Sequence, residues 1–296
     1  MCKILKPSVV AVVLLFLISG YALFIQPLIG LADNGDFVRI MIPNDIKHEA
    51  QRNVNDYFGY FNHRYDRLQY YNDAGKSIIS THSLVIKTAM ILDDLFTNDI
   101  KFDIRFLAAI NLFVLALGIY WIVEVIEKKA DNRGVKYFLA LMAVVVFGDI
   151  GYTSYFNSFY GEAVAYSFFL LSISALLKFS LDSGNKKRYL LVYFAASIMF
   201  IGSKNQYALN GVLAFVLLVT VAFFKVRNTK KVIAAVLGLV LIITSALLYS
   251  TIDENIRLVN KYHMMTRGVM LFEPDVGEVT KRIGINEQFA MLSETI

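Results

Sequence analysis

The stretch "PSVVAVVLLFLISGYALFIQPLIGLA", residues 7–32, contains no charged residue. A helix needs about 20 consecutive apolar residues to cross the hydrocarbon core of a bilayer, so this stretch predicts a first membrane span. It is longer than the apolar core of a signal peptide, and no A-x-A ending precedes the polar sequence that follows. We therefore expect an uncleaved span that also directs insertion.

The rest of the chain has a similar character. Its 296 residues are 57% hydrophobic and 18% charged, and the mean hydropathy is +0.54. A soluble protein of this size could not cover so much apolar surface. The sequence therefore predicts an all-α polytopic membrane protein of about seven spans. The six further apolar runs are 106–123, 137–161, 163–177, 189–203, 205–224 and 232–252.

Basic residues are concentrated in the N-terminus and in alternate connections. They are Lys3 and Lys6; Lys128, Lys129, Arg133 and Lys136; Lys178, Lys186, Lys187 and Arg188; and Lys225, Arg227, Lys230 and Lys231. The positive-inside rule places these segments and the N-terminus in the cytoplasm. Topology therefore explains the net charge of +5, and we expect no nucleic-acid partner. The only cysteine is Cys2, which excludes a disulfide framework within the chain.

The segments on the opposite side differ in composition from the basic ones. They are a long outer loop at about 33–104, two short hairpins near 149–162 and 202–210, and a tail at 253–296. They are rich in Asp, Glu, Asn, Tyr and Gly. The sequence thus predicts a membrane domain over 1–252 with its chemistry at the outer face, followed by an extracytoplasmic tail. Whether that tail begins a further C-terminal part is left open.

The first hairpin, "FGDIGYTSYFNSFYGE" at 147–162, carries a carboxylate on each shoulder. Asp149 precedes and Glu162 ends a run that includes Asn157 and Tyr160. Ionisable groups at membrane depth are costly and are candidates for function. The alternative is that both acids simply reach water.

The second hairpin is "IGSKNQYALNG", residues 201–211. Lys204 is the only basic residue in either short outer hairpin. It either binds an anionic headgroup or phosphate, or extends its ammonium group to the interface beside ordinary lipid.

The segment "LADNGDF", residues 31–37, places two acids where the chain leaves the first span. Gly35 permits a tight turn between Asp33 and Asp36. Asp33 is also a suitable cap for a following helix. "DNGD" resembles a calcium loop only faintly, because the later glutamate that such a loop needs is missing.

The outer loop has two further parts. "NDYFGYFNHRYDRLQYYNDAG" at 55–75 is crowded with aromatic residues, which suit a short hairpin, an interfacial belt or stacking on sugars. "THSLVIKTAMILDDLF" at 81–96 has helical apolar spacing and predicts a helix on the membrane surface. The four histidines have no H-x-x-x-H or H-E-x-x-H spacing, so no histidine metal site is predicted.

"LADNGDF" followed by "THSLVIKTAMILDDLF" resembles the membrane glycosyltransferases of the GT-C class, which carry a catalytic aspartate just past the first span and then a surface helix. "NGDF", "YFNSFYGE" and "SKNQ" are similar to the bacterial Wsf-type glycan-biosynthesis hexosyltransferases. The resemblance implies a GT-C-like helical bundle in the bacterial cytoplasmic membrane. It also implies transfer of a hexose from a polyprenyl-phosphate donor to a cell-surface glycan or lipid acceptor. Many GT-C enzymes have more spans and a sizeable C-terminal outer domain.

The same resemblance implies roles for the polar residues. Asp36 is the first choice for the base that accepts the acceptor's proton, and Asp33 is the second. Lys204 and Arg267 would meet the leaving phosphate. Asp149 and Glu162 would orient hydroxyls or help to hold a divalent cation, Mg²⁺ or Mn²⁺, which is left open. The other predicted substrate-binding residues are Asn157, Tyr160, Asn205 and Gln206.

Two other function classes remain. A lipid or glycan transporter, such as a flippase, would place charges near the bilayer midplane, often in repeated halves. The centres of these spans are nearly uncharged, which favours chemistry at one face. The second alternative hypothesis is a non-catalytic subunit of a glycan-assembly complex.

Overall fold

The computed structural model describes residues 5–49, 61–69, 80–97, 99–181, 186–225, 228–252, 254–265, 268, 272, 274–282 and 284. The chain forms two compact units, Met1–Tyr249 and Ser250–Ile296. The first unit carries the apolar helices and the residues of the predicted site. In the second, α11 (Glu254–Met265) is followed by α12 (Val276–Arg282), and the Asp275 carboxylate accepts the Glu278 N–H at 2.9 Å near the start of α12.

The first predicted span forms α1, Pro7–Phe24. Proline is well suited to the first helical position because the N–H it lacks has no partner there. The helix ends before the predicted limit of residue 32: Ile25 is already extended, and Pro27 follows two residues later. Proline disfavours helical geometry at the residue before it, so residues 25–32 leave α1 as an irregular segment.

Each of the other six predicted spans overlaps a helix, but the predicted span 137–161 is interrupted, because its helix ends at Phe147 and a bend follows. These helices are α4 (Arg105–Lys129), α5 (Arg133–Phe147), α7 (Glu162–Leu181), α8 (Lys186–Ile201), α9 (Asn210–Lys225) and α10 (Asn228–Ser250). By length and composition, four described segments can cross a membrane: Pro7–Phe24, Arg105–Lys129, Glu162–Leu181 and Lys231–Ser250. A fifth is obtained if α5 and the segment Ile150–Asn157, which meet at a 43° bend, count as one span. These helices confirm the prediction of an all-α polytopic architecture.

Small residues allow the spanning helices to approach closely. Ala11 of α1 and Ala108 and Ala116 of α4 are fully or almost fully buried in one apolar cluster with residues of α5 and α7. A side chain at Gly118 would meet the main chain of Leu171 at 3.3 Å, so α4 and α7 nearly touch there. Helices in membranes commonly associate through such small residues.

One end of the bundle brings together several predicted inner segments, and we call it the basic end. Here the Ser8 N–H lies 2.5 Å from a Glu127 carboxylate oxygen. The Lys178 ammonium is almost fully buried and donates to Glu124 at 2.8 Å. The Tyr137 hydroxyl donates to the Leu5 carbonyl at 2.6 Å, which adds the start of α5 to the same end.

The outer loop lies at the opposite end, which we call the polar end, and it contains an unpredicted sheet. Its antiparallel strands are β1 (Ile46–Lys47), β2 (Arg64–Arg67) and β3 (Phe102–Asp103), in the order β1-β2-β3. Only β2 falls within the aromatic stretch 55–75, where a hairpin was one of the readings. Two strands of two residues each carry too little alternation to be predicted from sequence.

The predicted surface helix is α3, Thr81–Phe96. Ser80 caps it, and Thr81 ties its start to the end of α8 through the Gly202 and Met199 carbonyls at 2.9 and 2.6 Å. One face of α3 is buried, and the Asp93 carboxylate on that face binds Arg67 of β2 at 2.6 Å. The other face exposes the apolar side chains Leu84, Ile91, Leu95 and Phe96.

Candidate functional site

The segment after α1 folds into a tight turn around the Asp33 carboxylate. Its Oδ1 accepts the N–H groups of Gly35 at 2.7 Å and Phe37 at 3.0 Å. Gly35 has φ 98°, a left-handed conformation that favours glycine. The short helix α2, Val38–Met41, follows at once. Asp33 thus holds the turn that leads into α2. It does not cap this helix, because Phe37 occupies the N-cap position and α2 has no side-chain cap hydrogen bond, so the capping alternative is wrong.

His48 completes the binding of Asp33. Its Nε2 lies 2.8 Å from Asp33 Oδ2, and the two side chains are 11% and 3% exposed. Burial raises the pKa of Asp33, but the His48 contact and the two backbone N–H donors outweigh it and hold the pKa below its usual value. The sequence indicated no role for His48, because its only signal was a histidine 15 residues after an aspartate.

Two residues of the predicted hairpin hold this turn in place. The Tyr160 hydroxyl donates to the Ala32 carbonyl at 3.0 Å and accepts the Asn34 N–H at 3.1 Å. The Asn157 amide donates to the carbonyls of Leu23 and Ile29 at 3.0 and 2.8 Å. Both side chains, predicted as substrate ligands, thus bind the main chain around the end of α1 and the turn.

Asp36 is more accessible than Asp33 and has fewer of its carboxylate oxygens engaged. Its side chain is 47% exposed, and one oxygen lies 3.2 Å from the exposed Arg39 guanidinium. Asp33 is buried, with both oxygens engaged. A base must reach its proton and release it again, so Asp36 is the more suitable of the two.

A cavity of about 410 Å³ lies beside the turn. Asp33 and His48 form part of its wall, together with Lys47 of β1. The remaining lining residues are Gly35, Val38, Met41 and Ile42. Its size falls in the range of small-molecule sites, and its wall combines the Asp33–His48 contact with apolar side chains.

A larger groove, of about 850 Å³, lies between α5, α7, the end of α8 and the turn that contains Tyr207. Its apolar wall includes Val145 and Val146, each 53% exposed, and Phe169. Its polar wall carries the two predicted carboxylates and four tyrosines: Asp149, Glu162, Tyr152, Tyr155, Tyr166 and Tyr207. The groove is therefore amphipathic, with exposed apolar side chains and polar groups along one cavity.

The charged residues of the groove have defined partners. Lys204 donates to Glu162 Oε1 at 2.6 Å, and both side chains are about one third exposed. The Asp149 carboxylate accepts the Gly151 N–H at 2.7 Å and caps α6, Ile150–Thr153. The predicted cation and one predicted carboxylate thus form an ion pair at the groove.

One pair of tyrosines separates the groove from the turn. The ring of Tyr155, which lines the groove, lies 5.9 Å from the ring of Tyr160, whose hydroxyl binds the turn. Burial, and then the negative charges of Asp33 and Asp36, raise the pKa of Tyr160 although the Asn34 contact lowers it. The structure therefore brings the predicted residues of the first turn and the first hairpin into one neighbourhood.

The other predicted site residues have more varied positions. Asn205 and Gln206 begin a short 3₁₀ turn, Asn205–Tyr207, next to Lys204, and Gln206 is exposed. Arg267 lies outside the described residues.

The described part of the chain contains no group of three or more His, Cys, Asp or Glu side chains that could hold a metal ion. The open question of Mg²⁺ or Mn²⁺ therefore has no candidate ligand set among these residues, and we assign none of them to a cation.

Comparison with known proteins gives a family but no individual relative. Neither the curated proteins nor the solved structures contain a significant match. The sequence model described as the YfdI N-terminal transmembrane domain matches residues 1–296, the whole chain. This match and the apolar helices make the chain a multi-pass membrane protein. The chain belongs to the YfdI N-terminal transmembrane domain family.

Proposed function

We propose that this protein is a membrane glycosyltransferase that moves a hexose from a polyprenyl-phosphate carrier to a cell-surface glycan or lipid acceptor. One observation carries the proposal. The amphipathic groove and the residue 33–37 turn are separated only by the contacting rings of Tyr155 and Tyr160, and the Asp36 carboxylate of this turn is half-exposed. The short motifs that resemble Wsf-type hexosyltransferases of the GT-C class lie in this turn, in the 147–162 hairpin and beside Lys204.

The groove suits a substrate with an apolar tail and a polar head. Exposed side chains of α5 and α7, such as Val146 and Phe169, would contact an isoprenoid chain. Tyrosine rings and carboxylates at the polar wall match the faces and hydroxyls of a sugar. Lys204 is the cation beside this wall, held there by Glu162, and it would interact with the carrier's phosphate.

The proposed step is a single displacement. A hydroxyl oxygen of the acceptor bonds to the anomeric carbon while the bond from that carbon to the phosphate oxygen breaks. Asp36 takes the hydroxyl proton, and the phosphate leaves with the bonding electrons, stabilised by Lys204. In-line attack inverts the configuration at the anomeric carbon.

Purified protein in detergent, incubated with labelled polyprenyl-phosphate hexoses, would test the activity by release of polyprenyl phosphate. Val145→Trp fills the groove, and we expect it to lower the release at low donor concentration by about tenfold, or roughly 1.4 kcal/mol of donor binding. Val135→Trp, at an exposed position of the same helix outside the groove, is the control and should retain activity. Wild-type release from Val145→Trp would remove the groove as the donor site. Movement of the lipid across vesicle membranes without release would favour a flippase instead.

The proposed location is the bacterial cytoplasmic membrane, with the N-terminus in the cytoplasm and the polar end outside. In a Cys2→Ser background, Asp99→Cys should react with an impermeant maleimide in intact cells. Asp131→Cys, also exposed, should react only after the membrane is permeabilised. The reverse labelling pattern would invert the topology and place the turn in the cytoplasm.

A further inference from the structure

The proposed function leaves the small sheet and His48 without a role. The sheet fixes the segment that carries His48: Lys47, the preceding residue, pairs with Asp66 of β2. Tyr65 of β2 is almost fully buried, and its ring lies 5.8 Å from the His48 ring and 4.9 Å from the Phe159 ring. The His48 ring therefore packs against Tyr65 of the outer loop, and Tyr65 packs in turn against Phe159 of the 147–162 hairpin.

From His48 a chain of contacts leads to the turn. Its Nε2 meets Asp33 Oδ2, and Asp33 Oδ1 accepts two backbone N–H groups on either side of Asp36. Phe37, next to Asp36, is anchored further by its ring contacts with Phe159 and Tyr160. The position of the Asp36 backbone is thus set by groups that converge on the Asp33 carboxylate.

We propose that His48 is a positioning residue for the glycosyl-transfer site. Its Nε2–H orients the Asp33 carboxylate, and that carboxylate holds the residue 33–37 turn so that Asp36 faces the substrate. The assignment rests on the proposed function, in which Asp36 accepts the proton. The pairing of β1 with β2 then positions His48 beside the turn.

Two substitutions separate positioning from direct action on the substrate. His48→Gln places an amide N–H near the position of Nε2, whereas His48→Asn is too short to do so and loses the contact. We expect His48→Asn to lower kcat roughly tenfold with little change in KM for the donor, because a misplaced catalytic group slows the chemical step. His48→Gln should restore kcat to within about threefold of wild type. His63→Gln, in the same outer loop, is the matched control.

The pH profile of kcat/KM gives an independent readout. If Asp36 is the base, protonation of Asp36 produces the fall in kcat/KM at low pH. Protonation of His48 in wild type would leave its Nε2–H donor in place, so it would not produce this fall. We therefore expect the low-pH limb to remain in His48→Gln. Loss of that limb in His48→Gln would identify His48 itself as the base and overturn the positioning role.

Hydrogen–deuterium exchange of the full-length protein tests the same idea without activity. The amides of Gly35 and Phe37 should exchange at least several-fold faster in His48→Asn than in wild type, and His48→Gln should restore their protection. Unchanged exchange at both amides in His48→Asn would refute the proposal. If wild type released no polyprenyl phosphate, the proposed function would fail, while the exchange experiment would still decide whether His48 orders the turn.

Discussion

Asp36→Asn is expected to lower the release of polyprenyl phosphate by about 10²–10⁴-fold, the typical contribution of a positioned acid or base. The substitution keeps the shape of the side chain and removes its capacity to accept the proton. It should not unfold the protein, because the lost Asp36–Arg39 ion pair is exposed and such pairs contribute at most about 1 kcal/mol.

Asp99→Asn is the matched control for this experiment. Asp99 is an exposed aspartate of the same outer loop, and it pairs with Arg64 at 3.0 Å much as Asp36 pairs with Arg39. Its substitution should leave the release rate near that of wild type. If Asp36→Asn released polyprenyl phosphate as fast as this control, Asp36 would not be the base.

Asp33→Ala is expected to have the largest effect on stability. It leaves the buried His48 side chain and the N–H groups of Gly35 and Phe37 without their carboxylate partner. The loss of a buried, hydrogen-bonded charge typically costs about 2–5 kcal/mol. Thermal unfolding in detergent should show a fall of roughly 5–10 °C in the apparent Tm.

The control is Asp99→Ala, at an exposed ion pair, which should shift the apparent Tm by no more than about 2 °C. An equally small shift for Asp33→Ala would mean that the residue 33–37 turn holds together without the carboxylate. Activity should fall with stability in Asp33→Ala, whereas Asp36→Asn should lose activity alone.

The lowered pKa of Asp33 gives this prediction a pH dependence. Because the folded-state pKa lies below the ordinary value of 3.8, the carboxylate contributes stability above that pH. The contribution is lost as the pH falls through the folded-state pKa. The stability gap between wild type and Asp33→Ala should therefore narrow at acidic pH, and a gap that widened there would contradict the assignment.

The sequence predicted the helical part of the fold because spanning helices follow from runs of apolar residues. All seven predicted segments contain a helix, but the first ends at Phe24 and the third at Phe147, both short of the predicted limits. Four described segments, or five with the bent pair, are long and apolar enough to cross a membrane, fewer than the seven predicted. The sheet was missed because β1 and β3 have only two residues each. Each of them pairs with β2, which lies far from it in the sequence. The local hydrophobic pattern of a sequence does not indicate which distant segments pair as strands.

The candidate site was only partly predictable for a related reason. Composition identified the polar turns, and the structure brings Asp33, Tyr160 and Asn157 together there. Composition did not indicate that Asn157 and Tyr160 bind the main chain. It also did not indicate that Lys204 pairs with Glu162 or that His48 binds Asp33. Each of these facts depends on the direction of a side chain in the folded protein, which residue type alone does not determine.

The contacts of Asn157 and Tyr160 with the end of α1 and the turn have a consequence for biogenesis. The carbonyls of Leu23, Ile29 and Ala32 leave the ribosome 128–134 residues before the side chains that bind them. A nascent chain whose first helix is already in the membrane therefore lacks these ties until the α5–α7 hairpin has inserted. Attachment of the turn to the 147–162 hairpin is then a late event of membrane insertion. A chain truncated before residue 157 would keep the contacts of Asp33 but lack the hydrogen bonds from Asn157 and Tyr160 to the main chain around the end of α1.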